Sequence, residues 1–148
     1  MSKQQVSCRL IYDRGRNIAR WVCLKLGYNA DEISDGQAFG LCVGNRLIGG
    51  IIYHNIRPYQ DLWWTIYTED KHWCSKKILK QIFGLAFDVY HVNRISLLIN
   101  SQNSACIKLV SGLGFKKEGC LRNYDNGIDS YIYGMLQSEN LWKGKINE

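Results

Sequence analysis

The apolar positions of the chain switch repeatedly between helical spacing and strand-like runs. Helical spacing predicts helices over Asn17–Leu26, over Ser75–Val89 and from Asn103 to the glycine at position 114. The intervening runs predict strands over Val6–Tyr12, Gln37–Val43, Arg46–Ile56, Asp61–Thr68, Arg94–Ile99, Phe115–Leu121 and Ser130–Leu136. The order β-α-βββ-α-β-α-ββ predicts an α/β fold.

Turn residues support these bounds. Gly27 follows the first helix as a stop signal, and Gly44-Asn45 separates two strands as a hairpin signal. Gly49-Gly50 weakens the strand that contains it and predicts a bulge. Asp125-Asn126-Gly127 predicts the turn of a closing hairpin. No repeat or linker divides the chain, so we predict a single domain over residues 1–148.

Composition narrows the functional classes. No run approaches the roughly 18 apolar residues of a spanning helix, which favours a cytoplasmic protein. Six cysteines are scattered without close pairs, so we expect reduced thiols and no metal site. A formal charge of +6 and a pI near 9.0 favour an anionic ligand or partner, nucleic acid included. The charge does not choose among these partners.

The segment Asn103–Gly119, NSACIKLVSGLGFKKEG, carries the most specific motif. An Asn is followed after ten residues by Gly-Phe, then after two more by Glu-Gly, with Leu-Arg shortly beyond. This string resembles the fourth helix and following strand of the GNAT (Gcn5-related) N-acetyltransferase superfamily, nearest to its ribosomal-protein N-terminal acetyltransferase-like branch. The whole chain is also similar to short bacteriophage GNAT proteins. The location would then be the host cytoplasm if the protein is phage-encoded.

The resemblance implies a single GNAT-fold domain with a mixed, mostly antiparallel central sheet. Its fourth and fifth strands, here Asp61–Thr68 and Arg94–Ile99, would splay apart around the pantetheine arm of acetyl-CoA. Their unpaired backbone groups would bind that arm as an added strand. Ile66 on the fourth strand, with Asn103 and Cys106 at the start of the following helix, would then be cofactor-binding.

The chain departs from the family pattern in two places. The glycine-rich pyrophosphate loop is replaced by His72-Trp73-Cys74-Ser75-Lys76-Lys77. Ser75 as a cap and Lys76 and Lys77 as charges would still bind the CoA phosphates; alternatively, the serine is an ordinary cap and both lysines are solvated. Val110 stands where many members have a tyrosine that protonates the leaving thiolate. A CoA thiol with a pKa of about 8.5 tolerates leaving without that acid.

Tyr53–Trp63 would lie beside the acceptor entrance, because it precedes and begins the fourth strand. His54 or Asp61 is predicted to remove the proton of the acceptor amine, with Glu69 and Asp70 as alternatives that hold a water for this step. His54 could instead simply pair with a neighbour. Tyr53, Asn55 and Trp63 are predicted to contact the substrate; alternatively, Tyr53 and Trp63 are core aromatic residues.

The closing hairpin contributes two further candidates. Asp129 and Tyr131 follow the Asp125-Asn126-Gly127 turn. Both are predicted to contact substrate. For Asp129 the alternative is a structural ion pair with Arg122.

We predict acetyl transfer from acetyl-CoA to a primary amine of a protein or small molecule, by a monomer or homodimer. Two alternatives stay open: a phage-type acyltransferase that modifies a nucleobase of DNA or RNA, and a catalytically decayed GNAT scaffold that acts as a binding module. Salt-dependent nucleic-acid binding would favour the first. The missing glycines favour the second.

Overall fold

The computed structural model describes residues 8–12, 16–29, 36–70 and 75–143. Seven strands form one sheet in the order β1-β2-β3-β4-β5-β7-β6. The strands are β1 Cys8–Tyr12, β2 Gln37–Val43, β3 Arg46–Arg57, β4 Asp61–Thr68, β5 Arg94–Asn100, β6 Lys116–Asp125 and β7 Ile128–Leu136. The α-helices are α1 Asn17–Leu26, α2 Lys76–Gly84 and α3 Ser104–Leu113. This is the predicted α/β, mostly antiparallel architecture.

The described chain divides into two compact units. The first contains the residues up to His54 and Thr65–Ile82. Its core lies between α1 and β2–β3, with Ile18, Val22 and Ile52 among its buried residues. The predicted bulge is present: Leu41 pairs with Gly49 but Cys42 pairs with Leu47, which leaves one β3 residue extra.

The second unit contains Asn55–Trp64 and everything from Phe83 onward. Its core is aromatic: the rings of Trp64 and Phe115 both pack against Phe83. Trp142 stacks on Phe83 and donates its indole N–H to the Leu113 carbonyl at 3.0 Å. The segment after β7 therefore packs on this unit.

The helix predicted over Ser75–Val89 changes its hydrogen bonding partway. Lys76–Gly84 is α-helical, and Leu85–Val89 continues as a π-helix. The Tyr90 amide donates to the Leu85 carbonyl at 3.0 Å, a span of five residues. Apolar spacing alone does not distinguish these two forms, because one wide turn hardly moves the buried face.

The ladder between β4 and β5 is short. It comprises three parallel pairs, Asp61↔Arg94, Leu62↔Ile95 and Trp63↔Ser96. β4 nevertheless has eight residues and β5 seven. The ladder is therefore confined to the beginnings of both strands.

Within the described ranges, no helix is both long and apolar enough to cross a membrane.

Candidate active site

The start of α3 carries the predicted cap. The Asn103 side chain accepts a hydrogen bond from the Cys106 amide at 3.2 Å. The Asn103 carbonyl accepts from the Ile107 amide at 3.1 Å, which begins the helical ladder. One of the amides that a helix start leaves unsatisfied, that of Cys106, is thereby paired. Gly114 ends the helix with φ 107°, a conformation that favours glycine.

Cys106 is a protonated thiol at neutral pH. Burial raises its pKa from 9.0 to about 11. The first turn of a helix normally favours a thiolate, so desolvation dominates here. Cys106 therefore offers a small neutral surface and not a nucleophile.

Asp129 and Tyr131 lie at the same end of β5 as Asn103. The register pairs Ile99 with Tyr131, and the Ser101 amide donates to the Asp129 carbonyl at 2.9 Å. The Asp129 carboxylate accepts the Asn123 amide at 2.9 Å. This backbone contact, in place of the expected Arg122 ion pair, shapes the irregular end of the hairpin.

Tyr131 has a cation on its ring. The Lys117 ammonium lies 3.4 Å from the ring centroid, a cation–π contact between β6 and β7. The half-buried ring is thus already engaged on one face.

Asp61 lies at the opposite end of β5 from Asn103. It pairs with Arg94, the first residue of β5, whereas Asn103 follows the last. Six residue steps of about 3.3 Å separate these ends by roughly 20 Å. The Asp61 carboxylate also accepts from Arg57 Nε at 2.5 Å. The structure thus gives Asp61 an ion pair at the turn before β4, and its role as the base stays a prediction.

Trp63 and Asn55 lie in the second unit, in the same segment as Asp61. Trp63 is half-buried and pairs with Ser96 in the ladder. Asn55 is exposed and has φ 49°, a left-handed conformation that asparagine tolerates. Neither residue is brought to the α3 start by the ladder.

The Glu-Gly of the sequence motif has a structural role. Arg94 on β5 forms an ion pair with Glu118 on β6 and donates its Nε to the Ser96 hydroxyl at 3.0 Å. The pair crosses β7 at Gly134, where an added Cβ would clash with the side chains of both Arg94 and Glu118. The lack of a side chain at Gly134 therefore leaves room for this ion pair.

In the first unit, His54 is held by Thr65. His54 Nε2 lies 2.9 Å from the Thr65 hydroxyl, and both side chains are half-buried. This hydrogen bond fixes the orientation of the ring. It is the neighbour contact expected as the alternative to catalysis, and it is also compatible with a positioned base.

Tyr53 and Ile66 are core residues of the same unit. Tyr53 is fully buried and donates its hydroxyl to the Ile82 carbonyl at 2.7 Å. Ile66 on β4 is buried as well. Tyr53 thus has the contacts of a structural side chain, and substrate contact by this residue stays a prediction.

The start of α2 has the predicted cap and an exposed pair of cations. Ser75 Oγ accepts from the Ile78 amide at 3.2 Å, and the Ser75 carbonyl accepts from Leu79. Lys76 and Lys77 are exposed in the first turn. The glycine-free segment His72-Trp73-Cys74 lies outside the described residues.

A cluster that was not predicted joins α1 to the end of β4. Tyr67 donates to Glu69 Oε2 at 3.3 Å, and the Lys25 ammonium lies 3.6 Å from the same oxygen. Trp21 packs edge-on against Tyr67, with the ring centroids 5.5 Å apart. The available signal was the four-residue spacing of Trp21 and Lys25, which puts both on one helix face.

Two of three comparisons with known proteins find acetyltransferases. No protein-family model matches the chain. A curated relative, the uncharacterized N-acetyltransferase p20 of Bacillus licheniformis, is 31% identical over 75 residues, which span 46% of this chain and 42% of the relative. The match thus spans less than half the length of that relative.

Solved structures match over more of the chain. A mutant of the spermidine N-acetyltransferase SpeG from Vibrio cholerae has a TM-score of 0.70 at 16% identity, covering 91% of this chain and 96% of that one. A putative acetyltransferase from T. thermophilus has a TM-score of 0.61 at 21% identity, covering 71% of this chain and 61% of that one. The fold predicted from the resemblance is confirmed: the chain has the fold of these solved acetyltransferases. The ribosomal-protein-like branch and the similarity to bacteriophage proteins stay predictions.

Proposed function

We propose that this protein transfers the acetyl group of acetyl-CoA to a primary amine. The observation that carries the proposal is the three-pair β4–β5 ladder, with the capped start of α3 directly after β5. In the GNAT fold this arrangement accommodates the pantetheine arm. The named activities of the curated relative and of the SpeG structures, all N-acetyltransferases, support the same reaction class.

The residues present suit two chemically different parts of acetyl-CoA. In the first unit, Ser75, Lys76 and Lys77 supply a helix start and two exposed cations for phosphates. In the second unit, Asn103 and Cys106 supply a neutral, half-buried surface for the uncharged arm. Acetyl-CoA would bring an activated thioester whose thiol is a good leaving group.

We assign direct transfer, without an acyl-cysteine. The candidate nucleophile at the start of α3 is Cys106, and burial raises its pKa to about 11. Its thiolate fraction at neutral pH is therefore very small. The amine itself must attack, and it must first lose a proton.

His54 is the base in this proposal. The Thr65 hydroxyl 2.9 Å from Nε2 holds the ring in one orientation. An imidazole exchanges protons near neutral pH, which suits amine deprotonation. Asp61, which forms an ion pair with Arg57, is the second candidate for this role.

The acceptor is proposed to be a small-molecule amine. This agrees with the structures of SpeG, which are named as spermidine N-acetyltransferases, one of them dodecameric. The proposal for this chain extends to the amine class and leaves the individual compound and the oligomeric state to experiment.

Release of free CoA thiol from acetyl-CoA tests the proposal. We expect release that depends on spermidine or another primary amine, and a loss of about 100-fold or more in kcat for His54→Gln. Thr65→Val, which removes the hydroxyl at similar volume, should give a smaller loss. Release with single-stranded DNA but no amine would instead favour the nucleobase acceptor. No release with either would favour a binding scaffold.

A further inference from the structure

One face of α1 and the end of β4 surround the ammonium group of Lys25. Lys25 Nζ lies 5.7 Å from the centroid of the Trp21 ring and 3.6 Å from Glu69 Oε2. Tyr67 contacts both partners, packing edge-on against Trp21 and donating its hydroxyl to Glu69. One aromatic ring and a carboxylate thus lie beside one primary alkylammonium, and Tyr67 contacts both of these groups.

This set of groups matches the chemistry of an amine ligand. Aromatic faces attract cations through the ring quadrupole, and a carboxylate adds direct charge attraction. The Lys25 side chain is itself a four-carbon primary alkylammonium, so it occupies the position that such a ligand would take.

We propose that Trp21, Tyr67 and Glu69 form a binding site, the ammonium cradle, for a primary alkylammonium group of an acceptor, other than the amine that is acetylated. This ammonium group displaces Lys25. The inference rests on the proposed amine acetylation and specifies how its substrate class is recognised. It makes Lys25 an internal competitor whose removal strengthens binding.

The backbone of the cradle is anchored, whereas its present occupant is loosely held. The Glu69 amide donates to the Ile48 carbonyl at 2.7 Å, which anchors the Glu69 backbone to β3. Burial, and then the Glu69 charge, raise the pKa of Tyr67, so its hydroxyl stays a donor at neutral pH. By contrast, the Lys25 and Glu69 side chains are 39% and 30% exposed, and ion pairs of this kind are weak.

The Glu69 carboxylate also has a second oxygen, Oε1, that can accept a ligand. Within the described part of the chain, both polar contacts of Glu69 use Oε2. An incoming ammonium can therefore bind Oε1 before Lys25 leaves Oε2, which avoids an intermediate with an uncompensated carboxylate.

A purely structural role for Lys25 makes different predictions. Lys25 stands in the last turn of α1, where a cation is stabilised by the helix dipole. If that were its whole role, removing the ammonium would slightly lower stability and would leave amine binding unchanged.

The direct test is NMR titration with n-butylammonium in the absence of acetyl-CoA, following the Trp21 indole N–H. Lys25→Met keeps an unbranched side chain without the charge, and should lower the Kd about fivefold. Glu69→Gln should raise the Kd at least as much, and n-butanol, which lacks the charge, should not bind. Thermal unfolding of both variants checks that they remain folded.

Each outcome decides one question. An unchanged or higher Kd in Lys25→Met, or equal binding of n-butanol, would overturn the cradle, even in a variant that still acetylates amines. Tighter butylammonium binding by Lys25→Met without any acetyl transfer would support the cradle and reject the proposed function. The charge-retaining Lys25→Arg should stay close to the unsubstituted protein.

Discussion

The starts of α2 and α3 use the same hydrogen-bonding device in different surroundings. Ser75 caps α2 and Asn103 caps α3, each through a side-chain oxygen that accepts an amide three residues on. The first turn of α2 then carries the exposed Lys76 and Lys77. The first turn of α3 carries Cys106, whose burial raises its pKa.

The difference shows that a capped helix start does not by itself define a ligand. Backbone amides supply partial positive charge in both helices. We propose that the two exposed cations suit the α2 start to phosphates. The α3 start is partly buried and has no cation in its first turn, which would suit it to an uncharged group. Substitutions in the two first turns should therefore separate these two roles.

The largest expected effect concerns charge at the α2 start. Lys76→Glu together with Lys77→Glu should weaken acetyl-CoA at least tenfold, because each lost charge-assisted contact is worth roughly 1.5–3 kcal/mol. Pantetheine, which lacks the phosphates, should bind as before. Calorimetry with both ligands gives the comparison.

Lys80 provides a matched control, because it is exposed on α2 one turn further along. Lys80→Glu should have a much smaller effect than the double substitution. Equal weakening of acetyl-CoA and pantetheine, or equal effects at Lys80, would put the phosphate site elsewhere.

The second prediction concerns the thiol at the α3 start. With the pKa of Cys106 raised from 9.0 to about 11, its thiolate forms only as the pH rises toward 11. At pH 8, alkylation by iodoacetamide should be about tenfold slower in the folded chain than in urea, since the roughly 100-fold loss of thiolate is partly offset by higher nucleophilicity. Mass spectrometry of the peptide containing residue 106 gives both rates, and equal rates would contradict the desolvated environment.

The sequence predicted where the helices start better than it predicted the long-range contacts between strands. Capping is local, so Asn103 and Gly114 were sufficient to position α3, and Gly27 marked the end of α1. The ion pair at the beginning of β5 was not predictable in the same way. Arg94 lies on β5 and Glu118 on β6, and their contact needs the space left at Gly134 on β7. Long-range register decides such contacts.

The same reasoning applies to Asp61. Its pairing with Arg94 at the beginning of β5 depends on the register between β4 and β5, which the sequence does not define. The ammonium cradle was missed for a similar reason, because Trp21 and Tyr67 are 46 positions apart in the numbering.

The smallest expected effects are on stability. Ser75→Ala and Asn103→Ala should each lower the free energy of unfolding by about 1 kcal/mol, because each removes a cap. Asn103→Asp keeps an acceptor and should retain most of the stability. Urea denaturation measures all three, and a loss confined to one helix would show that the two caps are not equivalent.

The central claim is that the chain binds and uses acetyl-CoA. Calorimetric titration with acetyl-CoA, in the absence of any amine, tests it most directly. We expect saturable binding at a single site, weakened at least tenfold by the paired Lys76→Glu and Lys77→Glu substitutions. No heat of binding at millimolar acetyl-CoA would contradict the claim.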